Sequence, residues 1–192
     1  MKIGVLALQG DFIEHEQVLR RIGAETCEVR LPQHLEGLDG LVIPGGESTT
    51  IGKLAVQYEL IEPIRAMAAA GKALWGTCAG MILMARDAGR DQPLLGLMDI
   101  QVRRNAFGRQ VDSFEALLDV PALATPEDRH PFHAIFIRAP LIQSVGAGIE
   151  TLAQLEDGTI VAARQGRLLV TSFHPELARD DRFHRYFVSL AI

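Results

Sequence analysis

Three short apolar runs mark the first half of the chain and limit the folds open to it: KIGVLAL, GLVIPGG and KALWGT. Polar residues do not alternate with apolar ones in these runs, and strands of that kind are typical of a parallel sheet that is covered on both faces. Segments with helical spacing lie between them, and the order strand, helix, strand is the pattern of a doubly wound α/β fold. We therefore predict a mainly parallel sheet flanked by helices.

The segments around these runs indicate where the helices lie. DFIEHEQVLRRIG has apolar residues at helical spacing, Asp11 and Glu14 in the positions of a capping pair, and a glycine as a stop; AETCEVRL after it reads as a further strand. Helical sequence runs from about Thr49 to Ala70 with a break near Pro63. AGMILMAR predicts a helix that Gly89 closes.

The second half of the chain has a different pattern. Short strand-like runs separated by glycine turns predict antiparallel additions to the sheet, and an amphipathic helix, DDRFHRYFVSLAI, ends the sequence. The strand-like runs are MDIQVRR, SFEALLDV, FHAIFIRAP and ETLAQLEDGTIVAARQGRLLVTSFHPE. The chain has 192 residues, 48% of them hydrophobic, and no linker-like stretch, so residues 1–192 are predicted to form a single domain.

Charge and composition exclude several classes of function. A formal net charge of −5 without any Lys- or Arg-dense run argues against nucleic acid or an anionic membrane as the main partner. No apolar run approaches the ~18 residues of a membrane span, and no cleavage site follows the N-terminus, so we expect a cytoplasmic protein. Two cysteines without paired spacing, and histidines without an HxH or HExxH pattern, predict no metal site. Five histidines are expected in surface or loop positions: His15, His34, His130, His133 and His184.

The GTCAG motif places Cys78 between a predicted strand and a predicted helix. Gly-x-Cys-x-Gly is the sulfur counterpart of the nucleophile elbow, in which small neighbours permit a sharp turn with a strained central residue. The positive end of the following helix favours the thiolate form. A buried cysteine in a glycine-containing turn fits the same motif, so GTCAG alone does not decide between the two.

The SFHPE motif supplies the base that a thiolate nucleophile requires. The apolar run RLLVTSF places His174 at the end of a strand, and the carboxyl ends of parallel strands meet around one crevice. Pro175 fixes the backbone, and Glu176 is near enough in sequence to accept the ring hydrogen of His174. With Cys78 these residues form a candidate Cys-His-Glu triad, although a surface His-Pro-Glu loop has the same sequence.

The VIPGGEST motif lies at the end of another predicted strand, immediately before a helix. Free backbone N–H groups at such a position can hold an oxyanion or a bound anion. The glycine spacing fits neither Gly-x-Gly-x-x-Gly nor a P-loop, so the motif does not indicate a nucleotide site. A plain turn with Ser48 or Thr49 as helix N-cap is the simpler alternative.

PGGEST, GTCAGMIL and SFHPE, in that order, resemble the class I (triad) glutamine amidotransferases, whose thiol attacks the side-chain amide of glutamine. IGVLALQGDFIEH and RRNAFGRQVDSFE further resemble the glutaminase subunits of pyridoxal 5'-phosphate synthase, and the similarity runs across nearly the whole chain. The resemblance implies a flavodoxin-like α/β fold and hydrolysis of L-glutamine to L-glutamate and ammonia through a thioester.

The resemblance also implies roles for particular residues. Cys78 is the implied nucleophile, His174 the general acid and base, and Glu176 the residue that orients His174. The amides of Gly46 and Ala79 are the implied oxyanion donors. The implied glutamine ligands are Gly46, Glu47, Ser48, Arg104, Ile137 and Arg138.

Two of these assignments leave a choice or a hypothesis open. A guanidinium such as that of Arg104 can pair with the α-carboxylate of the substrate, and the adjacent Arg103 offers the same group. Gln9 and Gly10, in LALQGDF, correspond to positions beside the active site and near the partner interface. We hypothesise that Gln9 helps to set the oxyanion-hole peptide when the partner binds.

The implied partner is a synthase subunit, a (β/α)8 barrel that joins the ammonia to a pentose phosphate and a triose phosphate, in a large hetero-oligomer. Pyridoxal 5'-phosphate is then the product of the complex, and this chain needs no cofactor. Three alternatives remain: the glutaminase of another ammonia-requiring synthase, such as the one making an imidazole ring; a non-catalytic binding protein of the same fold; and a related thiol hydrolase or chaperone. RNAFGRQVDSFE argues against the first, the complete triad against the second, and HPE against the third.

Overall fold

The computed structural model describes residues 1–104 and 113–192. Residues 105–112, which belong to the RRNAFGRQVDSFE stretch, lie outside the described residues. The helices are α1 (Phe12–Arg21), α2 (Ser48–Gln57), α3 (Ile61–Ala69), α4 (Ala79–Met84) and α5 (Arg182–Leu190). The strands are β1 (Lys2–Leu6), β2 (Glu25–Val29), β3 (Gly40–Ile43), β4 (Ala73–Thr77), β5 (Ala85–Asp87), β6 (Met98–Arg103), β7 (Ser113–Leu118), β8 (Phe132–Ile137), β9 (Leu141–Val145), β10 (Glu150–Gln154), β11 (Ile160–Gln165) and β12 (Leu168–Thr171).

A ten-stranded sheet with the order β2-β1-β3-β4-β12-β11-β9-β6-β5, and β10 paired to β11, forms the centre of the described structure. Strands β2, β1, β3, β4 and β12 pair in parallel, whereas β11 is antiparallel to β12, β10 and β9. The prediction of a mainly parallel sheet with antiparallel additions in the second half is confirmed. β9 has no counterpart among the predicted strands, and β7 and β8 form a separate two-stranded sheet.

Both faces of the parallel strands are covered, which explains why their sequences lack polar alternation. In β3, Leu41 and Ile43 pack in one core with residues of α2, α3 and α4, while Val42 packs in the other with residues of α1 and α5. Leu74 and Trp75 of β4 divide between the same two cores. All five residues are fully buried. Among the residues described, no helix combines the length and the apolar character needed to span a membrane.

Two helix boundaries differ from the predictions. The break predicted near Pro63 lies at residues 58–60, where Glu59 has a φ of +56°. Pro63 itself lies in the first turn of α3, where its missing N–H costs no intrahelical hydrogen bond. α4 ends at Met84 and not at Gly89, because the chain enters β5, which pairs with β6.

Asp11 is the N-cap residue of α1, as predicted, whereas the alternative of Ser48 or Thr49 as the N-cap of α2 is wrong. Asp11 makes no side-chain cap on α1, and its Oδ2 lies instead 3.4 Å from Nδ1 of His174. Glu47, rather than either hydroxyl residue after it, caps α2 by accepting a hydrogen bond from the Thr50 N–H. Both carboxylates therefore lie at the carboxyl edge of the parallel strands, in the crevice that holds the candidate site.

Candidate active site

Cys78 occupies the turn between β4 and α4. Its φ of +47° lies in the left-handed region that favours glycine, and only 7% of the residue is exposed. A Cβ on Gly80 would stand 1.9 Å from the carbonyl oxygen of Ile43, and one on Gly76 would stand 2.5 Å from Gly80. The strained central residue and the need for small neighbours agree with the predicted nucleophile elbow.

Strand β12 runs parallel beside β4 and brings His174 to the same edge of the sheet. Thr171 is in register with Thr77, and the N–H of Cys78 donates to the Thr171 carbonyl at 2.8 Å. His174 follows shortly after β12, and its N–H donates to the carbonyl of Ile135 in β8 at 2.8 Å. The prediction that two strand ends bring the thiol and the histidine to one crevice is confirmed.

Glu176 completes the predicted trio of side chains. Pro175 opens a short 3-10 turn after His174, and this turn places Oε1 of Glu176 2.6 Å from Nδ1 of His174. Both side chains are buried, with 4% of His174 and 6% of Glu176 exposed. The carboxylate of Glu176 therefore holds the imidazole ring through Nδ1. Without this contact the ring would be free to rotate away from the thiol.

The pKa shifts of His174 and Glu176 both favour the charged form of the buried pair. Burial by itself lowers the pKa of His174, but hydrogen bonds with Asp11, Cys78 and Glu176 outweigh burial and raise that pKa to about 12. Burial likewise raises the pKa of Glu176, but attraction from His15 and the hydrogen bond and attraction from His174 lower it well below its usual range. His174 and Glu176 therefore form a buried pair of opposite charges beside the nucleophile candidate Cys78.

Glu47 and Arg104 form a second, more exposed charge cluster. Nη2 of Arg104 donates to Oε1 of Glu47 at 3.1 Å, while Nη1 donates to Oε1 of Gln92 at 3.1 Å and to Oγ1 of Thr49 at 3.2 Å. Oε2 of Glu47 accepts from the Thr50 N–H at 2.7 Å. Burial opposes ionisation of Glu47, but the hydrogen bonds from Thr50, Thr49 and Arg104 lower its pKa to about 2. The cluster therefore presents one fixed anion and one fixed cation.

The structure separates the two adjacent arginines. Arg104 is half-buried and turned to Glu47, whereas Arg103 is an exposed residue of β6. Ser48 is buried, and its hydroxyl donates to Oε1 of Gln92 at 3.4 Å. Gln92 thus joins Ser48 to Arg104, and no motif in the surrounding sequence indicated this role.

The end of β8 lies against the nucleophile. Sγ of Cys78 donates a long hydrogen bond to the carbonyl oxygen of Ile137, at 3.9 Å. Arg138 follows with a φ of +44°, a conformation that is rare outside glycine and concentrated at functional sites. This placement is compatible with the predicted main-chain contacts of Ile137 and Arg138 with glutamine.

The loop between β1 and α1 is tied to the glycine pair of PGGEST. Oε1 of Gln9 accepts the N–H of Glu47 at 2.7 Å. A Cβ on Gly10, whose φ is +102°, would stand 1.8 Å from the carbonyl oxygen of Gly45, so only glycine fits there. Gly46, with a φ of +148°, lies between these two attachments. Gln9 and Gly10 therefore hold the peptide that carries one implied oxyanion donor.

The prediction of surface positions is wrong for His15 and His184, which are both completely buried. Nε2 of His15 lies 3.2 Å from Oε2 of Glu176, and Nδ1 of His15 lies 3.0 Å from Nε2 of His184. The other three histidines of that prediction are exposed or half-buried. His15 shares helical spacing with Phe12 and Leu19 on the apolar face of α1, and this spacing is the signal that could have indicated its burial.

Within the described residues, one group of side chains has the spacing of a metal site. Ligand atoms of Asp11, His174 and Glu176 all lie within 4.8 Å of one another. Nδ1 of His174 and Oε1 of Glu176 are hydrogen-bonded to each other, so a metal ion there would replace the contact that orients the imidazole. The absence of a metal requirement stays a prediction.

Comparison with solved structures defines the class of protein. A "Crystal structure of glutamine amidotransferase" matches with a TM-score of 0.91 and 52% identity over 98% of each chain. The "Structure of PurLQS from Thermotoga maritima" matches with a TM-score of 0.73 over 98% of this chain and 97% of that chain, and at 14% identity it shows the fold alone. The fold is that of the class I glutamine amidotransferases.

Comparison of sequences defines the family within that class. The model of the SNO glutamine amidotransferase family matches residues 5–192, and the chain belongs to this family. A relative from Herpetosiphon aurantiacus, named "Pyridoxal 5'-phosphate synthase subunit PdxT", is 60% identical over 194 residues, which cover 99% of this chain and 100% of the relative. The relationship predicted from the sequence motifs is confirmed.

Proposed function

We propose that this chain is the glutaminase subunit of a pyridoxal 5'-phosphate synthase. It hydrolyses L-glutamine to L-glutamate and ammonia and supplies the ammonia for vitamin B6 synthesis. The observation that carries this function is the buried trio of Cys78, His174 and Glu176 at the ends of β4 and β12, in a chain 60% identical to a subunit of that name. The glutaminase activity predicted from the sequence agrees with the family.

The exposed cluster provides charges that match a free amino acid. The guanidinium of Arg104 suits the α-carboxylate of glutamine, because a planar pair of N–H donors matches two carboxylate oxygens. The carboxylate of Glu47, whose pKa is lowered to about 2, stays ionised and suits the α-ammonium. Main-chain groups of Ile137 and Arg138 then hold the rest of the substrate beside Cys78.

The proposed reaction proceeds in two steps. The thiolate of Cys78 adds to the side-chain amide carbon, and the tetrahedral intermediate collapses to a thioester as His174 gives its proton to the departing ammonia. His174 then takes a proton from a water molecule, the resulting hydroxide adds to the thioester carbon, and the C–S bond breaks, which frees glutamate and regenerates the Cys78 thiolate beside a protonated His174. Glu176 keeps the imidazole oriented throughout.

The proposed oxyanion donors are the amides of Gly46 and Ala79. Ala79 is the first residue of α4, so its N–H is among those without an intrahelical acceptor. Gly46 lies in the peptide segment that Gln9 holds through the Glu47 N–H. We propose that Gln9 helps to set the orientation of the Gly46 peptide when the synthase subunit binds, and the hydrogen bond that Gln9 accepts from the Glu47 N–H supports this role.

The remaining proposals concern the partner and the conditions of catalysis. The synthase subunit is proposed to be a (β/α)8 barrel that receives the ammonia within a large hetero-oligomer. Neither a metal nor a cofactor is required by the proposed chemistry, because the chain itself provides a nucleophile, an acid-base and oxyanion donors. A cytoplasmic location also remains a prediction.

The test is an assay of ammonia release from L-glutamine with and without the pyridoxal 5'-phosphate synthase subunit. We expect hydrolysis in the complex, a lower rate for the isolated chain, and incorporation of the released nitrogen into pyridoxal 5'-phosphate. Cys78→Ala should lower kcat by at least about 10⁴-fold, because no other group takes over the nucleophilic step. Cys27→Ala is the matched control and should stay within about twofold of the wild type. Equal rates with and without the synthase subunit would refute the coupling.

A further inference from the structure

Helices α1 and α5 place two buried histidines next to the triad acid. His15 lies on α1 and His184 lies on α5, 169 residues further along the chain. Nε2 of His15 is 3.2 Å from Oε2 of Glu176, whereas His174 contacts the other carboxylate oxygen, Oε1. The proposed mechanism uses neither of the two buried histidines.

Oε2 of Glu176 is a buried carboxylate oxygen in need of a partner. It has no well-aligned hydrogen bond among the residues that the structure describes. Nε2 of His15 is equally close, at 3.2 Å, to Oγ1 of Thr77, and its alignment toward the hydroxyl is the better one for a hydrogen bond. The contact of His15 with Glu176 is therefore chiefly electrostatic, and it is the contact that compensates the charge on Oε2.

The contacts with Glu176 and His184 indicate which nitrogens of His15 carry protons. A lone pair on Nε2 would face the Glu176 carboxylate and be repelled, so Nε2 is protonated. Burial and the charge of His15 lower the pKa of His184 well below its usual value, so His184 is neutral. A neutral His184 can donate from Nε2 to Nδ1 of a neutral His15, or accept there from a protonated one. In both states Nε2 of His15 carries its proton 3.2 Å from Oε2 of Glu176 and 3.2 Å from Oγ1 of Thr77.

Aromatic packing fixes the two rings in this arrangement. The Trp75 indole packs in T-shaped arrangements against the rings of His15 and His184, with centroid distances of 5.5 Å and 4.9 Å. Nε1 of Trp75 donates to Oγ1 of Thr171, which fixes the indole in turn. A buried polar pair held this way is preorganised, so little reorientation is available to it during a reaction.

We propose that His15 is a positioning residue for Glu176, and that His184 holds His15 in the protonation pattern which this role requires. His15 keeps the carboxylate in place, Oε1 therefore stays on Nδ1 of His174, and the imidazole stays directed at Cys78. This role rests on the proposed function, since it concerns the orientation of the same triad during glutamine hydrolysis.

Two substitutions that keep different halves of the imidazole test this role. The amide nitrogen of a glutamine side chain overlays Nε2 of histidine, so His15→Gln keeps a donor next to Glu176. The amide nitrogen of an asparagine side chain overlays Nδ1, so His15→Asn keeps only a polar group next to His184. In the complex with the synthase subunit, His15→Asn should lower kcat about 10-fold or more with KM within about twofold. His15→Gln should stay within about threefold of the wild type. Phe187→Leu, in the same aromatic cluster, is the packing control and should leave kcat within about twofold.

A double-mutant cycle provides the second readout. In a Glu176→Gln background, His15→Asn should cost less than about twofold in kcat, because the carboxylate it serves is gone. If His15→Asn fails to fold, His184→Leu should lower kcat about threefold or more and His184→Gln should restore it. Equal losses in the Asn and Gln variants, or an undiminished loss in the Glu176→Gln background, would overturn the inference. A wild-type complex that releases no ammonia would instead refute the proposed function.

Discussion

The candidate site has two regions that differ in burial and in how their charges are held. We call Cys78, His174 and Glu176 the floor, and Glu47 and Arg104 the rim. No floor residue is more than 7% exposed, whereas the side chains of Glu47 and Arg104 are 48% and 22% exposed. Both regions contain an ion pair, but only the pair of the floor is shielded from water.

This difference separates catalysis from recognition. Charges in a buried site interact strongly and cannot be replaced by water, so removing one floor partner leaves another uncompensated. An exposed ion pair is worth about 0–1 kcal/mol, so the rim pair can exchange its contacts for those of a charged substrate at little cost. Floor substitutions should therefore act on kcat, and rim substitutions on KM.

The largest effect expected from a substitution that keeps the nucleophile is that of Glu176→Gln. The amide fills the same space but cannot stabilise the imidazolium of His174, so kcat should fall about 10²–10⁴-fold while KM changes less than about threefold. Steady-state ammonia release in the complex provides both constants. A rise in KM without a fall in kcat would remove the distinction between floor and rim.

Replacing Arg104 tests the rim. Arg104→Leu should raise KM for glutamine about 10–100-fold, the loss expected for charge-assisted hydrogen bonds to the α-carboxylate, with kcat within about threefold. Arg103→Leu is the matched control on the exposed face of β6 and should leave KM within about twofold. The opposite ranking of the two variants would show that Arg103, not Arg104, binds the substrate.

Gln9 connects the two regions, because it holds the Glu47 N–H beside Gly46. Gln9→Ala should reduce activation by the synthase subunit about fivefold, which corresponds to about one hydrogen bond of ~1 kcal/mol. The measurement is the ratio of ammonia release with and without the synthase subunit. An unchanged ratio contradicts the assigned role of Gln9.

The smallest effect concerns stability and pH. Glu47 caps α2 and has its pKa lowered from 4.5 to about 2, so its contribution to folding is present above about pH 4.5 and is lost as the pH falls toward 2. Glu47→Gln should cost about 0.5 kcal/mol of unfolding free energy at pH 7, at the low end for a cap because the side chain is half exposed. Denaturation at pH 7 and at pH 2.5 should show the difference from wild type shrinking with acidity. A difference that is the same at both pH values would show that the charge of Glu47 plays no part.

Much of the fold and of the floor was open to prediction from local sequence. Continuous apolar runs such as KALWGT indicate strands buried on both faces, and the cores on each side of β3 and β4 bear this out. GTCAG and SFHPE are contiguous, so the turn that strains Cys78 and the short turn that brings Glu176 to His174 are both encoded over a few residues. Helix ends were predicted less well, because pairing of β5 with β6 ended α4 early.

Contacts between distant segments were decided only by the tertiary structure. His15 and His184 are 169 residues apart, and no local pattern could bring them together next to Glu176. The carboxylates of Asp11 and Glu47 illustrate the same limit. Asp11 fits a helix cap by sequence, but the folded chain offers it the imidazole of His174.

The sequence by itself therefore determined the class of fold, the chemical identity of the floor and the family, because periodicity and short motifs act over a few residues. The tertiary structure decided which of the two adjacent arginines pairs with Glu47, where the buried histidines lie and which carboxylates lie at the crevice. The physical reason is that the burial and pairing of a polar group depend on the residues that distant parts of the chain place around it. These neighbours come together only when the sheet assembles.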